Sequence, residues 1–313
     1  MTFVQSRWSL VAIFVAITLL VPLMSSSGYH LRVVSLIYVF ALAAIGLNLL
    51  MGFAGQVSLG HAGFMGIGAY AVSIGPTHLG ITGFAAIWIG ALIACVLALL
   101  VGRPILKLKG HYLAVATLGF GFLIALALTN EGSWTGGPDG MNVPRLEVFG
   151  WRARGAQTWY WISAGMLLIG ILIAQNIMGS STGRALRAIH DSEVAAKVSG
   201  VSVSTQKLKV FAISAVYASL AGSLLAFVNG HITPDSTAGF LRSVELVTMV
   251  VIGGMGSIAG SIVGAAILIL LPQVLTVFHD YEHLMLGVLM MLCVIAMPTG
   301  LVPGAIRLLK GEQ

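Results

Sequence analysis

The feature that most constrains the fold of this chain is a succession of long apolar runs that carry almost no charge. A run of about 20 apolar residues is long enough to cross a bilayer as a helix. Within lipid a helix satisfies its own backbone hydrogen bonds, so such runs take helical form. Only 8% of the 313 residues are charged, whereas a water-soluble domain carries about a quarter. The sequence therefore predicts an all-α integral membrane protein.

The apolar runs predict a polytopic bundle of about ten transmembrane helices in a single domain that covers residues 1–313. The region 243–274 counts as two spans, 243–254 and 258–274, because the sequence GGMG between them favours a turn. The other eight predicted spans are 8–24, 32–51, 63–77, 84–101, 111–129, 159–177, 208–229 and 281–298.

The first apolar run has the layout of a secretory signal peptide, because it follows Arg7 and precedes three serines. A convincing small-residue cleavage site does not follow it, and the next apolar run begins at once. We therefore expect an uncleaved first span.

The distribution of lysine and arginine predicts the orientation. With the N-terminus inside, 11 of the 16 basic residues fall in cytoplasmic segments. The positive-inside rule requires a bias of this sign. We therefore expect both termini in the cytoplasm, and we attribute the net charge of +6 to topology and not to nucleic-acid binding. The five basic residues expected outside are Arg32, Arg145, Arg152, Arg154 and Arg242.

The most charged window is GRALRAIHDSEVAAKVSGV, residues 183–201, within a predicted cytoplasmic loop at 178–207. We interpret it as a short helix, a break and a second helix of about eight residues. Asp191 or Ser192 is suited to the N-cap, and Glu193 in the first turn favours the helix dipole. Gly200 can adopt the left-handed conformation that ends a helix. The expected apolar face consists of Leu186, Ile189, Ala195, Ala196 and Val198. By spacing alone, the window is either a surface helix for a soluble partner or an ordinary basic loop.

A second window, residues 48–70, alternates polar side chains with glycines. One reading is a broken helix that enters the protein interior, where irregular backbone is tolerated if it is buried or lines a wet cavity. The other reading is a cytoplasmic turn between two closely packed spans. The polar candidates for a translocation pathway are Asn48, Gln56, Ser58 and His61.

The longest external segment, residues 130–158, contains the turn-forming sequence TGGPDG. It is either a connection between spans or a ledge for a periplasmic partner. Arg242 and Glu245 lie three residues apart at the start of a predicted span, near the expected external surface, and are expected to pair on one helix face.

Small residues recur every four positions between Ser214 and Ala226 and between Gly256 and Gly264, a spacing that lets helix backbones approach closely.

Cys95 and Cys293 both lie in apolar runs, so neither a disulfide nor a metal site is expected. The sequence has no GxxxxGK[ST] and no HExxH, and we expect no catalytic site, no metal and no bound cofactor.

Several segments resemble the branched-chain amino-acid ABC transporter permease family. They are GFAGQVSLGHAGFMGIGAY at 52–70, TGGPDG at 135–140, the window 183–201 with KLKVFAISAVYASLAGSLLA at 207–226, and GGMGSIAG at 253–260. The resemblance implies a permease subunit of a bacterial inner-membrane importer for branched-chain or other hydrophobic amino acids. It also implies a second homologous permease, two ATPase subunits that bind the ATP, and an extracytoplasmic substrate-binding protein.

The resemblance also suggests roles for individual residues. It assigns the ATPase-coupling loop to Arg184, Arg187, Asp191, Glu193, Ala195, Ala196 and Gly200. It suggests contact with the binding protein at Gly136, Gly137 and Asp139.

Other functions remain open at this stage: a related ABC permease for urea, short amides or sugars, or a secondary carrier or channel. Ionisable residues are missing from the middle of most predicted spans, which argues against a proton-driven carrier. No set of reactive residues supports an intramembrane enzyme.

The predicted orientation can be tested with single cysteines at Ser199 and Asp139 in a background that lacks Cys95 and Cys293. We expect a membrane-impermeant thiol reagent to label the two positions from opposite sides of the membrane. Labelling of both positions from one side would contradict the topology.

Overall fold

The computed structural model describes residues 2–24, 27–108, 110–148, 151–274, 287, 291 and 300–304. Over these residues the chain is mainly helical. The helices are α1 Thr2–Met24, α2 Gly28–Ala54, α3 His61–His78, α4 Gly83–Ile105, α5 His111–Asn130, α6 Gly132–Thr135, α7 Gly155–Gly179, α8 Ser181–Asp191, α9 Glu193–Val198, α10 Val203–Asn229, α11 Pro234–Ala238, α12 Phe240–Gly253 and α13 Ile258–Val274. Four short strands are β1 Met141–Asn142, β2 Glu147–Val148, β3 Trp151–Arg152 and β4 His231–Ile232.

The long helix α10 lies at the centre of the bundle and packs against α2, α3 and α4. Its 27 residues reach about 40 Å. Both α2 and α10 are largely buried, whereas α4 and α5 expose large apolar side chains such as Trp88, Leu92, Phe122 and Leu123. These exposed faces suit contact with lipid or with another membrane helix.

Glycines let α3 and α10 approach until their backbones touch. A Cβ atom on Gly222 would lie 1.9 Å from the carbonyl oxygen of Met65, and one on Gly68 would lie 1.9 Å from that of Ser219. The Ser223 hydroxyl donates to the Gly68 carbonyl at 3.0 Å across the same contact. The predicted packing role of the small residues in α10 is confirmed.

The backbone between α2 and α3 is irregular over residues 55–60. It starts at Gly55, which has a φ of +66°. It ends where His61 opens α3 beside Ser214, about three turns along α10. Gln56, Ser58 and His61 are buried, whereas Gly55 and Val57 are exposed, so the segment leads from the surface into the protein interior. The predicted break in the helix, with buried polar side chains, is therefore confirmed, and its position relative to the membrane stays a prediction.

The predicted division of 243–274 is also confirmed, because α12 ends at Gly253 and α13 begins at Ile258. Gly254 and Gly256 have φ values of +122° and +75°, in the region that favours glycine. The two helices then cross closely, since a Cβ atom on Gly264 would lie 1.9 Å from the Met249 carbonyl oxygen.

The bundle has two ends with different structures. At one end, here called the α8–α9 end, these two short helices lie beside the start of α10 and the end of α2. At the other, here called the hairpin end, β2 pairs with β3 and β1 pairs with β4, both antiparallel. The predicted pair of Arg242 with Glu245 is confirmed, with 2.5 Å between Nη1 and Oε2.

The described part of the structure contains fewer candidate membrane spans than the sequence predicts. In the part of the chain described, six helical segments are long and apolar enough to cross a membrane: α2, α4, α5, α7, α10 and the stretch Pro234–Gly253, which contains α11 and α12. Two shorter apolar helices lie at Trp8–Leu23 and Ile258–Gln273. The predicted span 63–77 is the 18-residue helix α3, which begins inside the bundle. The predicted span 281–298 lies outside the described residues except for positions 287 and 291. The all-α membrane fold holds, but a total of about ten spans is not confirmed.

The contact between α3 and α10 predicts unequal effects of two Gly→Ala substitutions. Gly222→Ala places a methyl group against the Met65 carbonyl and should cost about 1–3 kcal/mol through overpacking. Gly165→Ala in α7 is the control, because its added Cβ would meet no atom within 4 Å. We expect a lower thermal midpoint of the purified protein for Gly222→Ala alone. Equal midpoints for both variants would contradict the close packing.

Candidate functional site

The window 183–201 folds as two short helices, as predicted. The break is at Ser192, whose side-chain oxygen accepts a hydrogen bond from the Ala195 N–H at 3.3 Å and so caps α9. Gly200 follows the end of α9 with a φ of +82°. The second helix has six residues and not the expected eight, because the chain turns directly after Val198.

The two helices bury one side of the unit and expose the other. Leu186, Ile189 and Ala196 pack inward and are buried. Val194 and Val198 point outward, with 72% and 84% of their surfaces exposed. The predicted apolar face is therefore wrong for Ala195 and Val198, which are both exposed. The helix is interrupted at Ser192, so the apolar periodicity of α8 does not predict which side of α9 is buried.

Some of the predicted coupling residues contact the membrane helices, and most are exposed at the surface. Glu193 forms an ion pair with the buried ammonium group of Lys207 in α10. The Arg187 guanidinium donates to the Met178 carbonyl at the end of α7 over 3.4 Å. Exposed positions among the predicted residues are Arg184, Arg187, Asp191, Ala195 and Gly200.

Contact between α8 and the end of α2 adds a third attachment. A Cβ atom on Gly55 would lie 3.2 Å from Nδ1 of His190, so α8 is in contact with the residue that follows the end of α2. The unit formed by α8 and α9 is thus held by α2, α7 and α10, and displacement of the unit would act on all three helices.

Asn48, a predicted pathway residue, holds the turn between α12 and α13. Its Nδ2 donates to the carbonyls of Gly254 and Ser257 at 3.3 and 2.9 Å and lies 2.7 Å from Oγ of Ser261. Its Oδ1 accepts from the Gly256 N–H at 2.8 Å. The side-chain amide of Asn48 is therefore occupied by protein groups.

Ser58 and His61 belong to a separate hydrogen-bonded chain. Nδ1 of His61 lies 2.8 Å from Oγ of Ser58, and Nε2 lies 2.5 Å from Oγ of Ser214. The ring is buried and makes edge contacts with Phe64 and Phe211. Both ring nitrogens therefore have partners in the closed interior.

Gln56 differs from the other three pathway candidates. It is buried, and its Oε1 has no hydrogen-bond partner among the residues that the structure describes. A buried acceptor without a partner costs about 1–3 kcal/mol. Of the four candidates, Gln56 is the one with a buried side-chain acceptor that lacks a partner among the described residues.

The sequence TGGPDG forms a compact turn at the hairpin end. Gly136 and Gly137 have φ values of +77° and +64°. Asp139 is exposed, and its carbonyl oxygen lies 3.1 Å from Nε2 of His231. The turn is thus attached to β4 and presents Gly136 and Asp139 to the outside of the bundle.

Sequence analysis missed several partners of the candidate residues. Ser257 accepts from Asn48 through its backbone carbonyl. Ser214 and Ser261 were read only as small residues or not at all, yet they bond with His61 and Asn48 through their side chains. Their polar hydroxyl groups inside apolar runs were the available signal. Within the described ranges, no group of three or more His, Cys, Asp or Glu residues is placed to hold a metal ion.

Comparisons with known proteins agree on one family. The family model for the permease component of branched-chain amino acid transport systems matches residues 29–294. The high-affinity branched-chain amino acid transport system permease protein LivM of Escherichia coli K12 is 32% identical, with 96% of this chain and 76% of the relative covered. LivM of Salmonella typhimurium is 31% identical, over 90% and 72%. LivH of Escherichia coli K12 is 27% identical, over 84% and 90%. No solved structure shows significant similarity.

The position of Asn48 predicts a structural role that two substitutions can measure. Asn48→Asp replaces the donor nitrogen with an oxygen that faces two carbonyls, whereas Ser261→Ala removes one of several partners. We expect Asn48→Asp to lower the free energy of unfolding by about 1–3 kcal/mol and Ser261→Ala by about 1 kcal/mol. Thermal or denaturant unfolding of the purified protein measures both. A fully stable Asn48→Asp variant that only loses transport would show that Asn48 acts in the pathway instead.

Proposed function

The chain belongs to the family of permease components of branched-chain amino acid transport systems, and on that premise we propose how it is driven and what it carries. It is a multi-pass inner-membrane protein and a permease subunit of an ABC importer. We propose that the unit of α8 and α9 docks on a separate ATPase subunit, which binds and hydrolyses the ATP.

The exposure of Val194 and Val198 is the observation that carries this proposal. They lie four residues apart and so share one face of α9. Both are largely exposed although each is apolar, and Asp191 and Lys197 near them are exposed as well. An apolar pair among charges favours a groove on a soluble protein over the lipid interior, where the charges would lose their hydration.

Side-chain contacts between α9, α10 and α3 would transmit the effect of docking to the membrane helices. Glu193 joins α9 to Lys207 near the start of α10. Further along α10, Ser214 contacts His61 at the start of α3. In this proposal, movement of α9 with the ATPase shifts α10 and with it the irregular segment 55–60.

The proposed cargo is a branched-chain or other hydrophobic amino acid, and the proposed pathway passes Gln56, Ser58 and His61. The unpartnered Oε1 of Gln56 suits an amino group in transit, since ammonium groups are hydrogen-bond donors. Asn48 supports this pathway by holding the turn beside it. A related ligand such as urea, a short amide or a sugar is the alternative cargo.

The remaining partners follow the same proposal. A second homologous permease completes the membrane part, two ATPases bind at the α8–α9 end, and this end is cytoplasmic together with both termini. An extracytoplasmic binding protein delivers the ligand to the hairpin end, where Gly136, Gly137 and Asp139 form the candidate contact. The exposure of Asp139 and the contact of its carbonyl oxygen with His231 in β4 support this contact.

The docking proposal is tested by the double variant Val194→Gln/Val198→Gln. Glutamine keeps the helix propensity but removes the apolar contact, and burial of a valine is worth about 1.5–3 kcal/mol. We expect recovery of the ATPase on pull-down to fall at least about tenfold, with loss of ATP-driven uptake in liposomes.

The matched control is Ser199→Gln, at an exposed and already polar position directly after α9. Both variants change exposed side chains, so their thermal midpoints should equal that of the parent. ATPase recovery and uptake at the parent level in the double variant would refute docking through α9.

A further inference from the structure

The five arginines that the sequence predicts outside the membrane do not all have carboxylate partners among the residues that the structure describes. Arg152 pairs with Glu147 and Arg242 with Glu245, each at 2.5 Å. The other three, Arg32, Arg145 and Arg154, line one cavity of about 480 Å³. None of the described residues that line this cavity is acidic.

Three helix ends and the neighbouring loop form the cavity. Arg32 lies in the first turns of α2, Arg154 directly precedes α7, and Arg145 lies between β1 and β2. The end of α10 completes the wall through Asn229, whose Oδ1 lies 3.5 Å from Nη2 of Arg32. The volume lies within the usual range for small-molecule sites, about 300–1,000 Å³.

The helix ends add partial charges to this site. The first N–H groups of α7 have no partner within their own helix, and the N-terminus of a helix favours an anion. Gly155 and Ala156 from this first turn line the cavity. Val228 and Asn229, at the end of α10, also line the cavity, and the last carbonyl groups of a helix can accept hydrogen bonds.

The cavity also has an apolar wall. The rings of Trp159 and Phe227 are stacked, with centroids 5.0 Å apart and an angle of 11° between planes. Both residues line the cavity beside the arginines. A site that combines guanidinium groups with stacked aromatic rings suits a molecule with an anionic head and an apolar body.

We propose that this cavity is a binding site for the carboxylate or phosphate group of a small amphipathic molecule. The anionic group contacts Arg145, Arg154 and the N-terminus of α7, and the apolar body lies on Trp159 and Phe227. Hydroxyl or amino groups next to the anion donate to the carbonyls at the end of α10. The site lies at the opposite end of the bundle from α8 and α9, so it does not depend on the proposed docking of an ATPase.

Two molecules provide this chemistry, and they are distinguished by experiment. One is a free hydrophobic amino acid, whose carboxylate and amino group match the two helix ends. The other is an anionic phospholipid, whose phosphate matches the arginines and whose glycerol hydroxyls match the carbonyls. The full-length protein is purified into nanodiscs, without ATP or an ATPase, so that binding alone is measured.

In the first arm, the nanodiscs contain only phosphatidylcholine and binding of radiolabelled leucine is measured. In the second arm, they contain phosphatidylglycerol as well, and retained lipid is counted by native mass spectrometry. The test variant is Arg145→Gln/Arg154→Gln, and Arg145→Lys/Arg154→Lys keeps the charge. The matched control is Arg152→Gln, an exposed arginine of the same hairpin that does not line the cavity.

We expect one ligand to bind the parent and the Arg152→Gln control equally and the Gln double variant at least about tenfold more weakly, because two charge-assisted contacts are lost. The Lys double variant should retain part of the binding. A loss confined to leucine identifies the amino acid, and a loss confined to phosphatidylglycerol identifies the lipid. Equal binding by the Gln double variant and the control in both arms, or no binding of either ligand to the parent, would overturn the proposal. Equal thermal midpoints for the variants establish that each is folded.

Discussion

The interior of this bundle contains irregular backbone that only other protein groups can satisfy, and Asn48 is the residue that meets this need at the turn between α12 and α13. A backbone N–H or carbonyl without a partner is costly in an apolar interior, because no water replaces the lost hydrogen bond. The side chain of Asn48 donates to two carbonyls of the turn and accepts from one N–H. One side chain on α2 therefore fixes the relation between two helices that follow it by about 200 residues.

The same constraint explains the importance of α10. Its contact with α3 brings backbones together at Gly68 and Gly222, which leaves little freedom to slide. At one end α10 holds Lys207, which pairs with Glu193 of α9, and at the other end Asn229 borders the arginine cavity. The helix thus connects the proposed ATPase contact with the proposed anion site along its full length.

Among the residues that the structure describes, the two ends of the bundle differ in the groups that they leave without a partner. At the α8–α9 end these are apolar, because Val194 and Val198 remain exposed. At the hairpin end they are cationic, with Arg145 and Arg154 beside the first turn of α7. The exposed valines suit a groove on an ATPase, and the arginines suit an amphipathic anion. Gln56, a proposed pathway residue that follows the end of α2, has a side-chain oxygen without a partner in the described part of the chain.

The sequence by itself determined the features that depend on near neighbours. Apolar length and the scarcity of charge determine a helical membrane protein, and turn residues determine where helices stop, as at Ser192, Gly200 and Gly254. The pair of Arg242 with Glu245 was predictable because both residues lie on one turn of one helix. Family resemblance identified the windows that are proposed to carry function.

Only the tertiary structure decided which side chains meet and which remain exposed. The outward direction of Val198 follows from the helical phase after Ser192, which the apolar spacing of α8 does not predict. Asn48 and Ser261, or Arg32 and Arg154, lie far apart in the chain, so their meeting depends on how whole helices pack. Local propensity is set by a few adjacent residues, whereas a polar partner inside lipid is set by the path of the chain through the bundle. For that reason the helices could be predicted from the sequence, and the sites between them could not.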